Sequence, residues 1–163
     1  MTASRPTFGF LWRRPAHLIA LGFGSGLAPI APGTFGTLLA IPFDAGLRTY
    51  ASDAAHIAAI ALLFALGAWA AQVTGRDLGV ADHGSIVIDE VVAFLLVLYF
   101  VGADPLRQAI AFLLFRAFDI VKPPPIRQVD RALKNGIGVM LDDLLAAAYT
   151  LVVFAVGARV LGG

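Results

Sequence analysis

Apolar residues run through this chain in long blocks separated by short polar clusters, a rhythm of membrane-length helices and tight connections. The clearest block is Ala54–Val73, about 20 residues long with only His56 and Gln72 polar, which is the length needed to cross about 30 Å of hydrocarbon. Before it, Thr34–Tyr50 predicts a helix opened by Pro32-Gly33-Thr34 and bent near Pro42, where a backbone donor is missing. Asp53 is placed to cap the helix that follows. After a polar loop at Thr74–Ser85, the run Ile86–Gly102 is apolar except for Asp89 and Glu90. Ala103-Asp104-Pro105 then turns the chain into a helix ending near Val121, because Pro123-Pro124-Pro125 can neither donate nor adopt helical geometry easily. A charged loop follows. The last helix is expected from about Val139 to Leu161, with Asp142 and Asp143 in its first turn.

The pattern predicts an all-α, multi-pass transmembrane bundle of about five crossing helices. To these is added a short re-entrant or interfacial piece at His17–Ala31, whose glycines must be buried in protein if it enters the bilayer. Residues 1–16 read as a cytoplasmic tail, since the glycines and Pro29 after Arg13 and Arg14 make a poor signal peptide. No repeat, low-complexity tract or linker divides the chain, so 1–163 is expected to be a single domain.

Composition strengthens the membrane reading. Of 163 residues 59% are hydrophobic and 14% charged, with mean hydropathy +0.83, where soluble domains carry about 25% charge. The net charge of +1, with its basic residues in local groups, argues against a nucleic-acid partner. The absence of cysteine removes disulfides, thiolate metal sites and a cysteine nucleophile. Arg5, Arg13, Arg14, Arg76, Lys122, Arg127, Arg131 and Lys134 are assigned to one side and Arg48, Arg107 and Arg159 to the other. The larger set is expected to face the cytoplasm. Alternating helix direction then brings Asp89, Glu90, Asp119, Asp142 and Asp143 together at that face.

Five carboxylates in a poorly hydrated place repel one another unless cations or protons compensate them, and a hard divalent ion is the economical answer. Neighbouring acids on a helix point about 100° apart, so one of each pair need not be a ligand. Between the pairs, Arg116, Asp119 and Lys122 recur at i, i+3 and i+6 on one helix face, offering two cations beside one acid. An arginine fork and a lysine point charge are what a transferring phosphoryl group needs beside a metal. Ion pairing alone is the plain alternative for any single acid. Thr34, Gly36 and Thr37 lie where exposed amides of a helix start can hold an anion, although such a turn is commonly only a turn. His83 can donate a proton near neutral pH or simply be solvated beside a capping Asp82. The Lys122–Lys134 loop can meet anionic head groups or merely set topology.

The blocks APGTFGTLLAIP at 31–42, DHGSIVIDE at 82–90, FRAFDIVKPPPIRQVDR at 115–131 and GVMLDDLLA at 138–146 resemble the phosphatidylglycerophosphatase A family. The resemblance implies a Mg²⁺-dependent hydrolase of bacterial phosphoglycerolipid synthesis in the inner membrane, acting on a phospholipid with no obligatory protein partner. It carries over Asp89, Glu90, Asp119, Asp142 and Asp143 as the acidic metal and catalytic set, with Arg116, Lys122, Arg127 and Arg131 as phosphate or structural partners. Ala93, Ala147 and Asn135-Gly136 depart from frequent glycines of that family and bear on packing. The expected reaction is attack of water on the terminal phosphate of phosphatidylglycerophosphate, oriented or deprotonated by Asp119, Asp142 or Asp143; a covalent aspartyl-phosphate is the other route. A small ion-coupled transporter or ion-binding membrane protein is the rival reading. It requires charge near the bilayer midplane and access from both sides.

Overall fold

The computed structural model describes residues 5–161, and all regular structure among them is helical. The elements are α1 (Phe8–Leu11), α2 (Pro15–Ala20), a 3₁₀ segment (Gly22–Leu27), α3 (Pro32–Tyr50), α4 (Asp53–Leu78), α5 (Ile88–Val101), α6 (Pro105–Val121), α7 (Ile126–Ala132) and α8 (Gly136–Leu161).

The central element is α5. Val91, Val92, Ala93, Phe94, Leu95, Val97, Leu98 and Val101 are all buried, because α3, α4, α6 and α8 each pack against it. At 14 residues it is about 21 Å long at 1.5 Å per residue. Its continuous Val/Leu/Phe sequence marks a helix packed against protein along most of its surface, with Phe100 exposed near its C-terminal end, rather than an amphipathic surface helix. Phe94 seals the contact with α6 through Phe112 and Phe115, at ring separations of 5.9 and 5.5 Å. The outer helices turn apolar side chains outward: Ile57, Leu62, Leu66 and Trp69 on α4, Leu106, Ile110 and Leu113 on α6, Val152, Val153, Val156 and Val160 on α8. Exposed apolar surface on this scale fits a lipid-facing exterior.

By length and composition, α4 and α8 are the two helices fit to cross a membrane. The expectation of five crossings is not met at that level: α5 and α6 are too short to pass, and α3 carries Pro42, Asp44 and Arg48.

Several boundaries differ from the expected ones. Ser52, not Asp53, caps α4, its hydroxyl accepting from the Ala55 amide at 3.3 Å. That helix continues through polar Thr74–Asp77 to Leu78 before Gly79 ends it at φ 74°. Asp142 and Asp143 lie in the second turn of α8, since the helix begins at Gly136. It can begin there because Gln72 accepts from the Gly136 amide at 2.9 Å and a side chain at 136 would collide with α4. The charged loop contains α7, which packs on α8. Of the expected tail, residues 1–4 lie outside the described residues, while Leu11 and Ala16 are buried within α1 and α2. His17 anchors this region, donating to the Phe10 carbonyl at 2.9 Å and meeting Asp77 of α4 at 2.8 Å. Ala93 and Ala147 are both buried at helix contacts, where the extra methyls are accommodated.

Candidate active site

Three helix ends deliver the acids to one place. Asp89 and Glu90 occupy the first turn of α5, where carboxylates complement the helix dipole. Asp119 comes from the last turn of α6 and Asp143 from α8. Asp89, Asp119, Asp142 and Asp143 are each no more than 9% exposed, so water does little to separate their charges. One oxygen each from Asp89, Glu90 and Asp143 lie within 4.8 Å of one another. Asp119 and Asp143 are also within hydrogen-bonding reach.

Two cations enter from α6 and its C-terminal end. Arg116 Nη1 meets Asp119 Oδ2 at 2.6 Å and Glu90 Oε1 at 3.4 Å, and reaches the Thr37 hydroxyl at 3.5 Å. Thr37 itself donates to the Gly33 carbonyl at 2.8 Å. Gly33 is needed here for close approach: a Cβ at this position would run into Glu90 Oε1 and stand 3.1 Å from both terminal nitrogens of Arg116. The proline run leaves Lys122 as the left-handed cap of α6, at φ 47°. Such a conformation is costly for a residue with a side chain, and it accompanies contacts from Lys122 to Asp142 and, at 3.3 Å, to Asp130. Burial opposes the charge on Lys122, but the hydrogen bond and charge of Asp142, with Asp130 and Asp82, outweigh it and hold the ammonium above the ordinary lysine range. Although burial opposes ionisation of Asp130, Lys122 and Lys134 lower its pKa below the ordinary 3.8.

The two adjacent aspartates of α8 are thus divided by the helical period: Asp143 faces Asp89 and Glu90, and Asp142 faces Lys122. Asp89 Oδ1, Glu90 Oε2, Asp142 Oδ1, Asp143 Oδ2 and Arg116 Nε are buried without a hydrogen-bond partner among the described residues. Burial of unpartnered carboxylate oxygens is costly unless something positive joins them. The donor set, hard oxygens from α5 and α8, suits a cation such as Mg²⁺.

Other residues singled out in the sequence fall elsewhere. Gly36 is pressed against Val87, a packing contact between α3 and the start of α5, and Thr34 is half-buried with no side-chain hydrogen bond among the described residues. Arg127 is exposed and donates to the Val121 carbonyl at 3.2 Å; Arg131 is exposed and makes no ion pair among the described residues. Neither arginine is brought to the acids. His83 is half-buried in the loop before α5, its Nδ1 accepting from the Ser85 amide at 3.2 Å. Asp130 was missed in the sequence, although an acid eight residues after Lys122 was a visible signal, and Gly33 was read only as part of a helix start, not as the seat of the Glu90–Arg116 pair.

The phosphatidylglycerophosphatase A family profile matches residues 18–158, which contain every acid of the cluster. The chain belongs to this family. A Haemophilus influenzae protein named phosphatidylglycerophosphatase A is 44% identical over 158 residues, covering 96% of this chain and 97% of its own length. The Escherichia coli protein of the same name is 42% identical, covering 81% of this chain and 77% of its own. A Bacteroides thetaiotaomicron relative whose name proposes phosphatidylinositol-3-phosphatase activity is 39% identical, covering 92% and 99%. No solved structure matches the chain. Phosphatidylglycerophosphatase A relatives thus align along nearly the whole chain, with the acid cluster inside the shared region.

Proposed function

We propose that this chain is a Mg²⁺-dependent phosphatidylglycerophosphatase of the bacterial cytoplasmic membrane, hydrolysing phosphatidylglycerophosphate to phosphatidylglycerol and phosphate. The observation that carries the reading is the convergence of Asp89, Glu90, Asp119 and Asp143, with Arg116 the only cation against them among the described residues and unpartnered oxygens among them, in a chain of this family.

Asp89, Glu90 and Asp143 are the residues to hold Mg²⁺, which when bound neutralises charge developing on phosphoryl oxygens. Arg116 has a buried Nε–H without an acceptor, and that edge of its guanidinium is free to grip a phosphate oxygen. Its ion pair with Asp119 fixes that carboxylate in place, so Asp119 can orient an attacking water and take its proton. The water oxygen bonds to phosphorus, the ester bond to the glycerol oxygen breaks, and that oxygen is protonated from the aqueous side. Lys122, pinned by Asp142 and Asp130, holds positive charge beside the acids and ties α7 and α8 to the end of α6. Thr37 and Gly33 position Arg116.

In the membrane, α3, α4, α5, α6 and α8 form the crossing bundle. The sheath of four helices around α5 supports this, because a helix covered by protein need not present an apolar span of its own. The basic residues near the acid cluster set the cytoplasmic side, with the site at head-group depth.

Release of phosphate by purified protein from phosphatidylglycerophosphate in mixed micelles with Mg²⁺ is the deciding measurement. No release from folded protein, with Mn²⁺ also tried, sinks the reading. Single turnover in H₂¹⁸O separates the routes: label in the released phosphate without label in a protein carboxylate is expected for direct attack. Because the chain lacks cysteine, single cysteines replacing Lys134 and Arg107 report sidedness. Labelling of the first from the cytoplasm and the second from outside is expected.

A further inference from the structure

The start of α3 and the loop that leads into α5 contribute to a cavity of about 340 Å³ lined by Arg5, Ala28, Pro32, His83, Gly84 and Ser85. Pro32 immediately precedes Gly33, which abuts Glu90 and Arg116, and Ser85 stands four residues before Asp89. The polar side chains lining the cavity can all donate, and no carboxylate lines it. Arg5 has no ion-pair partner among the described residues. The Ser85 amide donates to His83 Nδ1 at 3.2 Å, so the neutral ring carries its proton on Nε2 and offers a donor there. Ser85 is buried, and its hydroxyl makes no hydrogen bond to the protein among the described residues. Close by in the chain, Ile30, Phe35 and Leu38 expose apolar side chains. Donors without acids, next to a phosphomonoester site and near apolar surface, select an anion that is attached to a lipid.

We propose that this cavity binds the phosphodiester of the same lipid whose terminal phosphomonoester is hydrolysed at the acid cluster. Arg5, His83 and Ser85 hold the diester oxygens, and the acyl chains leave over Ile30, Phe35 and Leu38. The inference rests on the reading of the chain as a phosphatidylglycerophosphatase and deepens it: Arg5 and Ser85 become specificity residues for a lipid with two phosphates. Phosphatidate, whose single phosphate is joined directly to diacylglycerol, cannot occupy both sites.

The test compares kcat/KM for phosphatidylglycerophosphate and phosphatidate in neutral-detergent micelles, for wild type, Arg5→Gln and Ser85→Ala. Arg5→Gln is expected to raise KM for phosphatidylglycerophosphate about tenfold, the size of one lost charge-assisted hydrogen bond, and so lower the preference for it over phosphatidate by the same factor. Ser85→Ala should lower that preference about threefold, a neutral hydrogen bond. Equal losses on both substrates, or no loss on either, overturn the proposal. So does a rise in the inhibition constant of inorganic phosphate with the preference unchanged, which assigns the cavity to the free product. Failure of the underlying reading is separately visible, because wild-type protein would then release no phosphate from phosphatidylglycerophosphate before any variant is made.

Discussion

The two ends of α5 carry similar residue types to opposite effect. At its C-terminal end, Arg48 donates to the Leu98 and Tyr99 carbonyls at 2.6 and 3.2 Å and pairs with Asp44 at 2.6 Å. His56 faces Asp44 at 3.5 Å with its ring edge-on to Tyr99. One acid is matched by one guanidinium that also caps orphan helix carbonyls, so the charge is balanced here even though Asp44 Oδ1 and His56 Nε2 make no hydrogen bond among the described residues. At the N-terminal end, Asp89 and Glu90 meet Asp119 and Asp143 with Arg116 as their only contacting cation among the described residues, and buried oxygens are left unpartnered. The lesson is one of charge balance: a buried acid with its own counter-ion stitches helices together, whereas acids in excess form a site that something positive must complete.

The comparison can be broken most sharply by neutralising the open end. Asp89→Asn or Asp143→Asn is expected to lower phosphate release about 10³-fold, the scale of losing electrostatic stabilisation of a transition state, while circular dichroism and melting in EDTA stay close to wild type. Retained activity in both variants would dismantle the assignment. Arg48→Met at the closed end should do the reverse, costing about 3 kcal/mol of stability by leaving Asp44 buried without its partner, with activity per folded molecule preserved. Denaturant titration in detergent reads the first quantity and phosphate release the second. Arg116→Lys keeps the charge but loses the fork, and about a 10²-fold fall in kcat/KM is expected.

Metal withdrawal separates the ends without touching the sequence. Mg²⁺ at about 100 times its dissociation constant should add about 2.7 kcal/mol to wild-type stability, EDTA should remove it, and Asp89→Asn should show neither effect. An equal response in Asp89→Asn would place the ion elsewhere. The smallest effect concerns pH. Lys122 has a raised pKa, so its contribution is complete below the ordinary lysine value of 10.5 and is lost only as pH climbs through the folded value above it. Asp130 has a lowered pKa, so its contribution is present above 3.8 and is lost as pH falls through the folded value below it. Melting temperature should therefore be insensitive to this pair around neutrality, and Asp130→Asn should flatten only the acid limb below about pH 4.

Most helices were legible because apolar run length and proline position are local properties. The limits of α6 follow directly from Pro105 and Pro123, as do the start of α3 from Pro32 and the capped beginning of α4 to within a residue. The acids were legible as a group because charge is rare in apolar runs and helix direction alternates. Division of labour within the group was only partly so: the helical period separates Asp142 from Asp143 but does not say which faces Lys122. The resemblance grouped Arg127 and Arg131 with Lys122 as phosphate or structural partners, and the structure leaves both arginines exposed because α7, unseen in the pattern, carries them away from the acids.

By itself, the order of residues determined an all-helical chain, its breakpoints and the rarity of its buried charges, since each depends on neighbours within a few positions. Only the tertiary structure decided that α5 is packed against four other helices, that Gly33 seats the Glu90–Arg116 pair, and that Arg5 joins His83 and Ser85 around one cavity. Those contacts join residues tens of positions apart, and packing, not local preference, selects which side chains meet.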